Sequence, residues 1–389
     1  MCIRKTKQIL FTVLAVMLSL AMISAAGAEG GHEEAKAAAF AYLKGAVATK
    51  CPIQTYETDD PLIASASYTY ENAMAALALM SEGDNGDAAK ILDAMVKGMN
   101  KDAEFKDRFR NSRMAGKASD LPGYWNDAQG KWLQDAYQVG TSTKSSAAAV
   151  VALLTYYAAD PKEEYLDAAR TGLDWILANC ADENEGFTSG YTGWPNAGQA
   201  TVLTYKSTTD NLWLAAACRM MAEATGWDKY REAETSALTF VRENMLSPGD
   251  SRFFEGTKDD GVTPSTNLIV ADAQVLAELC MDDDSGMDNL EVCLASDGGY
   301  AFDNSCTDGS LLENTAMAAL ALKRIGETEA AEAALAMMET VQLSNGTFPQ
   351  ASIPELRTGE AETVFNDWPS VGPCAWFILA VNGQNPLGK

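Results

Sequence analysis

The sequence predicts an all-α fold in which six helical hairpins close into an (α/α)6 toroid, with long loops at one mouth. Three features predict it: a recurring Ala/Leu-rich segment that is apolar nearly all round, a one-sided segment between successive copies, and connections that alternate between short and long. The apolar segments are Glu71 to Met80, Ser145 to Tyr157, Asp210 to Ala224, Ala271 to Met281, Glu313 to Ile325 and Pro373 to Asn382. A helix that is apolar on every side must be covered on every side, so these six form the inner wall.

The segments between them supply the outer wall. Ala88, Ile91, Leu92, Met95, Val96 and Met99 follow a 3.6-residue period, with Lys90, Asp93 and Lys97 on the other face. The same one-sided pattern runs through Tyr165 to Ile176, Tyr230 to Met245 and Ala331 to Val341, and more weakly through Met287 to Leu294. The helix from Glu33 to Ala48 has no inner partner before it, so it packs beside the last inner helix and closes the ring.

Arg4, Lys5 and Lys7, an apolar run from Ile9 to Ile23, and Ala26-Gly27-Ala28 before Glu29 have the order of a cleavable secretory signal peptide. The expected organisation is a signal peptide over 1–28 and one toroid domain over 29–389, exported to a secreted or extracytoplasmic location. No later segment approaches the roughly 20 apolar residues of a membrane span. Loss of the three basic leader residues takes the formal net charge from −25 to −28. That field disfavours nucleic acid, anionic membranes and anionic polymers, and is easier on a neutral or cationic ligand.

The only histidine, His32, lies four residues past the cleavage point, so histidine-based acid/base, nucleophilic or metal chemistry is excluded from the body. No Cys/His spacing suggests zinc, and neither metal nor cofactor is expected. Cys180, Cys218, Cys280 and Cys374 fall inside helical patterns as small hydrophobes, whereas Cys293 and Cys306 bracket a loop in a spacing open to pairing.

Inner-to-outer connections are short and carry Gly83, Asp160-Pro161, Gly226 and Gly326 as stop signals. Outer-to-inner connections are long, about 102–143, 181–208, 247–269, 296–311 and 344–371. Loops of that length in a compact domain are usually functional. All enter the N-terminal ends of the inner helices and therefore gather over one mouth. Trp125, Trp132, Trp194 and Trp368 lie in them, with faces suited to stacking on sugar rings.

Glycosidic cleavage needs two carboxyl groups, one protonated and one ionised. The mouth supplies Glu71, Asp210 and Glu313 at the heads of inner helices, Asp127 and Asp135 in the longest loop, and Asp272 just inside the fourth inner helix. Glu71, Asp135, Asp210 and Glu313 form the catalytic pool, and Lys206, four residues before Asp210, is placed to keep one of them charged. A structural reading competes for each acid, since Asp is a favoured N-cap and either acid gains roughly 0.3–1 kcal/mol near a helix N-terminus.

Tyr70-Glu71-Asn72-Ala73, Pro122-Gly123-Tyr124-Trp125, Tyr137-Gln138-Val139-Gly140-Thr141, Lys206-Ser207-Thr208-Thr209-Asp210-Asn211 and Leu312-Glu313-Asn314-Thr315-Ala316 together resemble an exported branch of the six-hairpin glycosidase-like superfamily. The resemblance implies a carbohydrate cleft at the N-terminal ends of the inner helices, and adds Tyr68, Tyr70 and Gln138 as substrate-binding candidates. The branch typically has Lys-Ser-Thr-Glu-His-Asn at the third inner helix, whereas this chain has Thr209 for the acid and Asp210 for the histidine. The expected function is an exported glycoside hydrolase acting on a neutral oligo- or polysaccharide. A non-catalytic glycan-binding or envelope protein on the same fold is the alternative. A polysaccharide lyase using Tyr68 or Tyr70 ranks below both, and a terpene-cyclase-like toroid ranks last.

Overall fold

The computed structural model describes residues 31–194, 201–360 and 363–388; the expected signal peptide over 1–28 lies outside them. The inner wall consists of α2 (Thr69–Ser81), α4 (Thr143–Ala159), α6 (Thr208–Thr225), α8 (Ala271–Met281), α9 (Leu312–Ile325) and α11 (Val371–Asn382). Each packs on the next, and α11 packs on α2, so the ring is closed. Their all-round apolarity has the expected result: every residue from Ala73 to Leu79 and from Ala147 to Leu154 is buried. Among the described residues no helix is long and apolar enough to cross a membrane.

Outside them lie α1 (Glu33–Thr49), α3 (Asn85–Lys101), α5 (Glu163–Asn179), α7 (Asp228–Thr239) and α10 (Thr328–Thr340). The first of these packs on α11, as the sequence requires for closure. Two outer positions depart from a plain α-helix. After Thr239 the chain widens into a π-helix over Phe240–Met245. The weak fifth outer segment is a 3-10 helix, Asp284–Cys293. There Gly286 is pressed so close that a Cβ would stand 2.6 Å from Gln274 Oε1 and 2.9 Å from the Phe253 ring, which leaves no room for an ordinary outer helix.

One device repeats around the ring. A polar side chain in the first turn of an inner helix holds a loop residue by its backbone. Asn72 accepts from Ile53 N at 2.9 Å and donates to Ile53 O at 3.1 Å. Asn211 does the same for Phe187, and Gln274 for Phe253. Thr315 Oγ1 accepts from Tyr300 N, and Cys374 Sγ accepts from Phe348 N. Loops that arrive from the outer wall are thereby pinned beside the helix heads, with their buried polar groups satisfied. Short antiparallel pairs order the loops further. Ala66–Tyr68 pairs with Ser112–Met114, Tyr124–Asn126 with Lys131–Leu133, and Gly190–Thr192 lies between Thr141–Ser142 and Thr201–Leu203.

The ring is solid beneath its mouth. Trp213 from α6 and Trp376 from α11 meet with ring centres 6.3 Å apart, and Tyr70 packs edge-on to Trp213 at 5.7 Å. At the opposite end the C-terminal tail folds under the barrel. Arg219 donates to Leu387 O, Asn385 Nδ2 donates to Leu279 O at 2.7 Å, and Leu387 is fully buried. Cys293 and Cys306 remain free thiols, which corrects the pairing their spacing left open; Cys293 is buried and directs its Sγ to Ile269 O at 3.3 Å.

Candidate active site

The second or third residue of each inner helix points to the mouth. In ring order these are Glu71, Lys144, Asp210, Asp272, Glu313 and Gly372. None of the acids is an N-cap: the cap positions are held by Tyr68, Ser207, Val270 and Leu311. Capping therefore does not account for these carboxylates, although all still lie in the favourable field of a helix N-terminus.

The mouth opens into two connected lobes. The first, about 410 Å³, is lined by Glu71, Glu313, Tyr56, Tyr68, Tyr70 and Trp368 together with Phe302 and Phe365. Tyr56 stands edge-on to both Tyr68 and Trp368, at 5.9 and 6.2 Å, so the wall is a continuous aromatic surface. The second lobe, about 600 Å³, carries Asp210, Glu255, Asp259, Asp272 and Glu360. Tyr137, Lys144, Asp272 and Phe302 line both and mark the junction.

Glu71 and Glu313 converge on the sixth head. The point where a Cβ on Gly372 would stand lies 2.7 Å from Glu313 Oε2 and 3.5 Å from Glu71 Cγ. Only a residue without a side chain fits between them. Burial first, and then the Glu313 charge, raise Glu71 to a pKa of about 7, against the opposing pull of Lys144 and the Tyr56 hydroxyl. Burial also raises Glu313, but Lys144 and donation from Tyr70 and Trp376 favour its ionised form. The Trp376 indole N–H also donates to Tyr70 OH at 3.1 Å, which fixes that tyrosine under the pair.

Around the junction, burial lifts Asp210 to about 6; the Ser189 hydroxyl, near without closing a hydrogen bond, and the Lys144 charge moderate the rise. Asp272 is raised by burial too, with Lys144 opposing. Lys144 would lose its proton more easily through burial alone, but Asp272, Glu313 and Asp210 reverse that and hold it charged. Its Nζ sits 4.6 Å over the Tyr70 ring. Glu255 is pushed up by burial and by Glu360 beside it.

The structure gathers Glu71, Asp210 and Glu313 at one mouth, with Tyr68, Tyr70 and Trp368 beside them. It corrects the expectation for Lys206. That ammonium is turned away from Asp210 and bonds Asp182 Oδ1 at 2.9 Å and Glu185 O at 2.7 Å; Lys144 supplies the positive charge instead. Asp135 is also elsewhere, because its carboxylate caps a one-turn helix by accepting from Gln138 N at 2.9 Å and does not line either lobe. Gln138 is buried behind the wall, donating to Tyr68 OH at 3.1 Å. Trp125 and Trp132 face each other across a hairpin as exposed side chains outside the lobes. Trp194 donates to Gln134 Oε1 at 2.8 Å, next to the undescribed residues 195–200.

Lys144, Tyr56, Glu255 and Glu360 escape the sequence pattern. Lys144 had a signal: the second inner helix starts at Thr143, not Ser145, and the two extra residues bring a lysine to the same height as Glu71. Tyr56, Glu255 and Glu360 sit on irregular backbone, where no period locates a side chain.

No family model matches the chain, and no curated protein does. Solved structures do. The chain is similar to cellobiose 2-epimerase from Spirochaeta thermophila, with TM-score 0.61 and 15% identity over 89% of this chain and 93% of the other. It is similar to an α-amylase from Clostridium perfringens, with TM-score 0.63 and 12% identity over 91% and 99%. A sugar epimerase from a ruminal bacterium aligns with TM-score 0.59 and 14% identity over 85% and 91%. The architecture shared with these structures is the closed ring of six helical hairpins, the (α/α)6 toroid.

Proposed function

We propose that this chain is an exported glycoside hydrolase acting on an oligo- or polysaccharide, with a neutral sugar unit seated in the aromatic lobe. The observation that carries the reading is the pair Glu71 and Glu313 on either side of Gly372 in that lobe. Their environments differ in the sense the reaction needs. Glu71, with a pKa of about 7, keeps its proton near neutrality and protonates the departing glycosidic oxygen. Glu313, facing Lys144 and the donors of Tyr70 and Trp376, is the ionised partner that activates water or attacks the anomeric carbon. Tyr56, Tyr68 and Trp368 hold the ring.

The structural neighbours include both glycosidases and epimerases. Two carboxyls with unlike protonation preferences favour hydrolysis. His32, the sole histidine, lies between Glu332 and Glu339 on the outer wall and has no part in the mouth. The test is a panel of neutral glycans offered to the purified protein, with products resolved into shortened chains and isomers. Glu71→Gln and Glu313→Gln are each expected to lower release by about 10²–10⁴-fold, the usual contribution of such a group. Release untouched by both substitutions removes this assignment, and isomers in place of shorter chains replace hydrolysis with epimerisation. For export, the support is the charged and apolar leader. N-terminal sequencing of protein recovered outside the cytoplasm should begin at Glu29.

A non-catalytic glycan-binding protein is the second reading. Thr209, where the resembling branch has its acid, is tied to Ser207 Oγ at 3.0 Å and brings no carboxylate to that position. This reading requires sugar affinity with no product.

A further inference from the structure

We propose that the acidic lobe is a subsite for a sugar unit bearing a protonated amine. The inference rests on the mouth being a sugar site and specifies what its second half selects. Asp210, Glu255, Asp259, Asp272 and Glu360 line this lobe against the single ammonium of Lys144. The other lysine in its wall is already neutralised, since Lys206 is bound to Asp182. Asp210 and Asp272 are only 7% and 9% exposed, and neither has an ion-pair partner within 4 Å among the described residues. Beside them the Ser189 hydroxyl, 3% exposed, is buried with no hydrogen-bond partner. Carboxylates without ion-pair partners, lining a cavity of sugar size, are the complement of a donor-rich cation.

An ammonium offers three donors and one positive charge, and its bonds to carboxylates are about twice as strong as those of a neutral hydroxyl. An uncharged sugar would leave the ionised members of this cluster uncompensated, and an acidic sugar would add to them. The aromatic lobe differs: its walls are Tyr56, Tyr68, Phe365 and Trp368, which suit an uncharged ring face. Lys144 at the junction repels an amine from the aromatic side and so gives the bound glycan a direction.

Binding of glucosamine, glucose and N-acetylglucosamine to the intact protein, followed by ligand-observed NMR, tests this directly. Glucosamine is expected to bind about tenfold or more tightly than the other two, an advantage that shrinks at high salt as screening of charge requires. Asp210→Asn and Asp272→Asn should each reduce the preference. Equal affinity for the three sugars, no glucosamine binding, or a preference that survives both carboxylate substitutions overturns the proposal. Hydrolysis of neutral glycans without amine preference removes this inference and keeps the hydrolase; amine preference without product does the reverse.

Discussion

At Glu71 one carboxyl group links the proposed activity to folding. Its proton is held to about pH 7, so a rate that depends on its acid form should fall as pH rises through that value. Lys144→Met removes the cation that draws Glu71, Asp210, Asp272 and Glu313 downward. The expected outcome is a pH–rate profile displaced to higher pH, measured as kcat/KM across pH 4 to 9. Stability follows the same protons. A carboxyl that ionises near pH 4.5 when unfolded and near 7 when folded makes the folded state the better proton binder between those values, so stability is full below the lower and declines toward the upper. Glu71 and Asp210, with the raised Asp272 and Glu313, all act in that sense. Asp102 acts oppositely: burial would raise it, but Arg110, the Phe105 N–H and Arg113 hold it at about 2, so its contribution is lost only on strong acidification. The melting temperature should therefore drop between pH 5 and 8, and Glu71→Gln should flatten the drop and stabilise the fold at pH 8 by on the order of 1–3 kcal/mol. A melting temperature that rises over this range contradicts the ionisation pattern.

The inner helix head is the element in which sequence and site meet. Its apolar body is legible because a helix with no polar face has nowhere to lie but inside the ring, and the acids at Glu71, Asp210 and Glu313 are legible because they begin those bodies. What escapes is decided by irregular backbone or by packing across the ring. The start of α4 is shifted by two residues, which hides Lys144; the widened turn after Thr239 and the 3-10 stretch at Asp284–Cys293 answer to neighbours such as Phe253 and Gln274. Asn211 shows what a head contributes besides chemistry. Asn211→Ala leaves the N–H and C=O of Phe187 without partners and should cost about 1–3 kcal/mol for each buried group orphaned, read by denaturant unfolding. Gly372→Ala separates chemistry from stability. Alanine is the better helix former of the two, yet the new methyl would press on Glu313 Oε2. A folded protein of unchanged helicity with strongly reduced turnover is the expected result; unimpaired turnover would mean that the carboxyl pair does not depend on that gap.

For the molecule as a whole, closure and lopsidedness are written in the order of short and long connections, which is why the ring and its mouth are predictable from one sequence. Charge is legible only in total: the net −25 does not reveal that one ammonium stands among the mouth's carboxylates, because that juxtaposition joins residues from the heads of α2, α4, α6, α8 and α9. The closed ring also has a seam, where α1 and α2 from the start of the chain pack on α11 from its end. No covalent bond crosses it among the described residues. Synthesis runs from α1 toward α11, so the helices that pack on α11, namely α1, α2 and α9, must wait with one flank uncovered until Val371–Asn382 has been made. Of the flanks left open, that of α2 belongs to a helix buried on nearly every side, and its head carries Glu71. A ribosome-bound chain stopped before residue 371 should therefore be readily cut by protease in α1 and α2, and release of the finished chain should protect both together. In this protein the acid of the candidate site exists only once the last helix has been made.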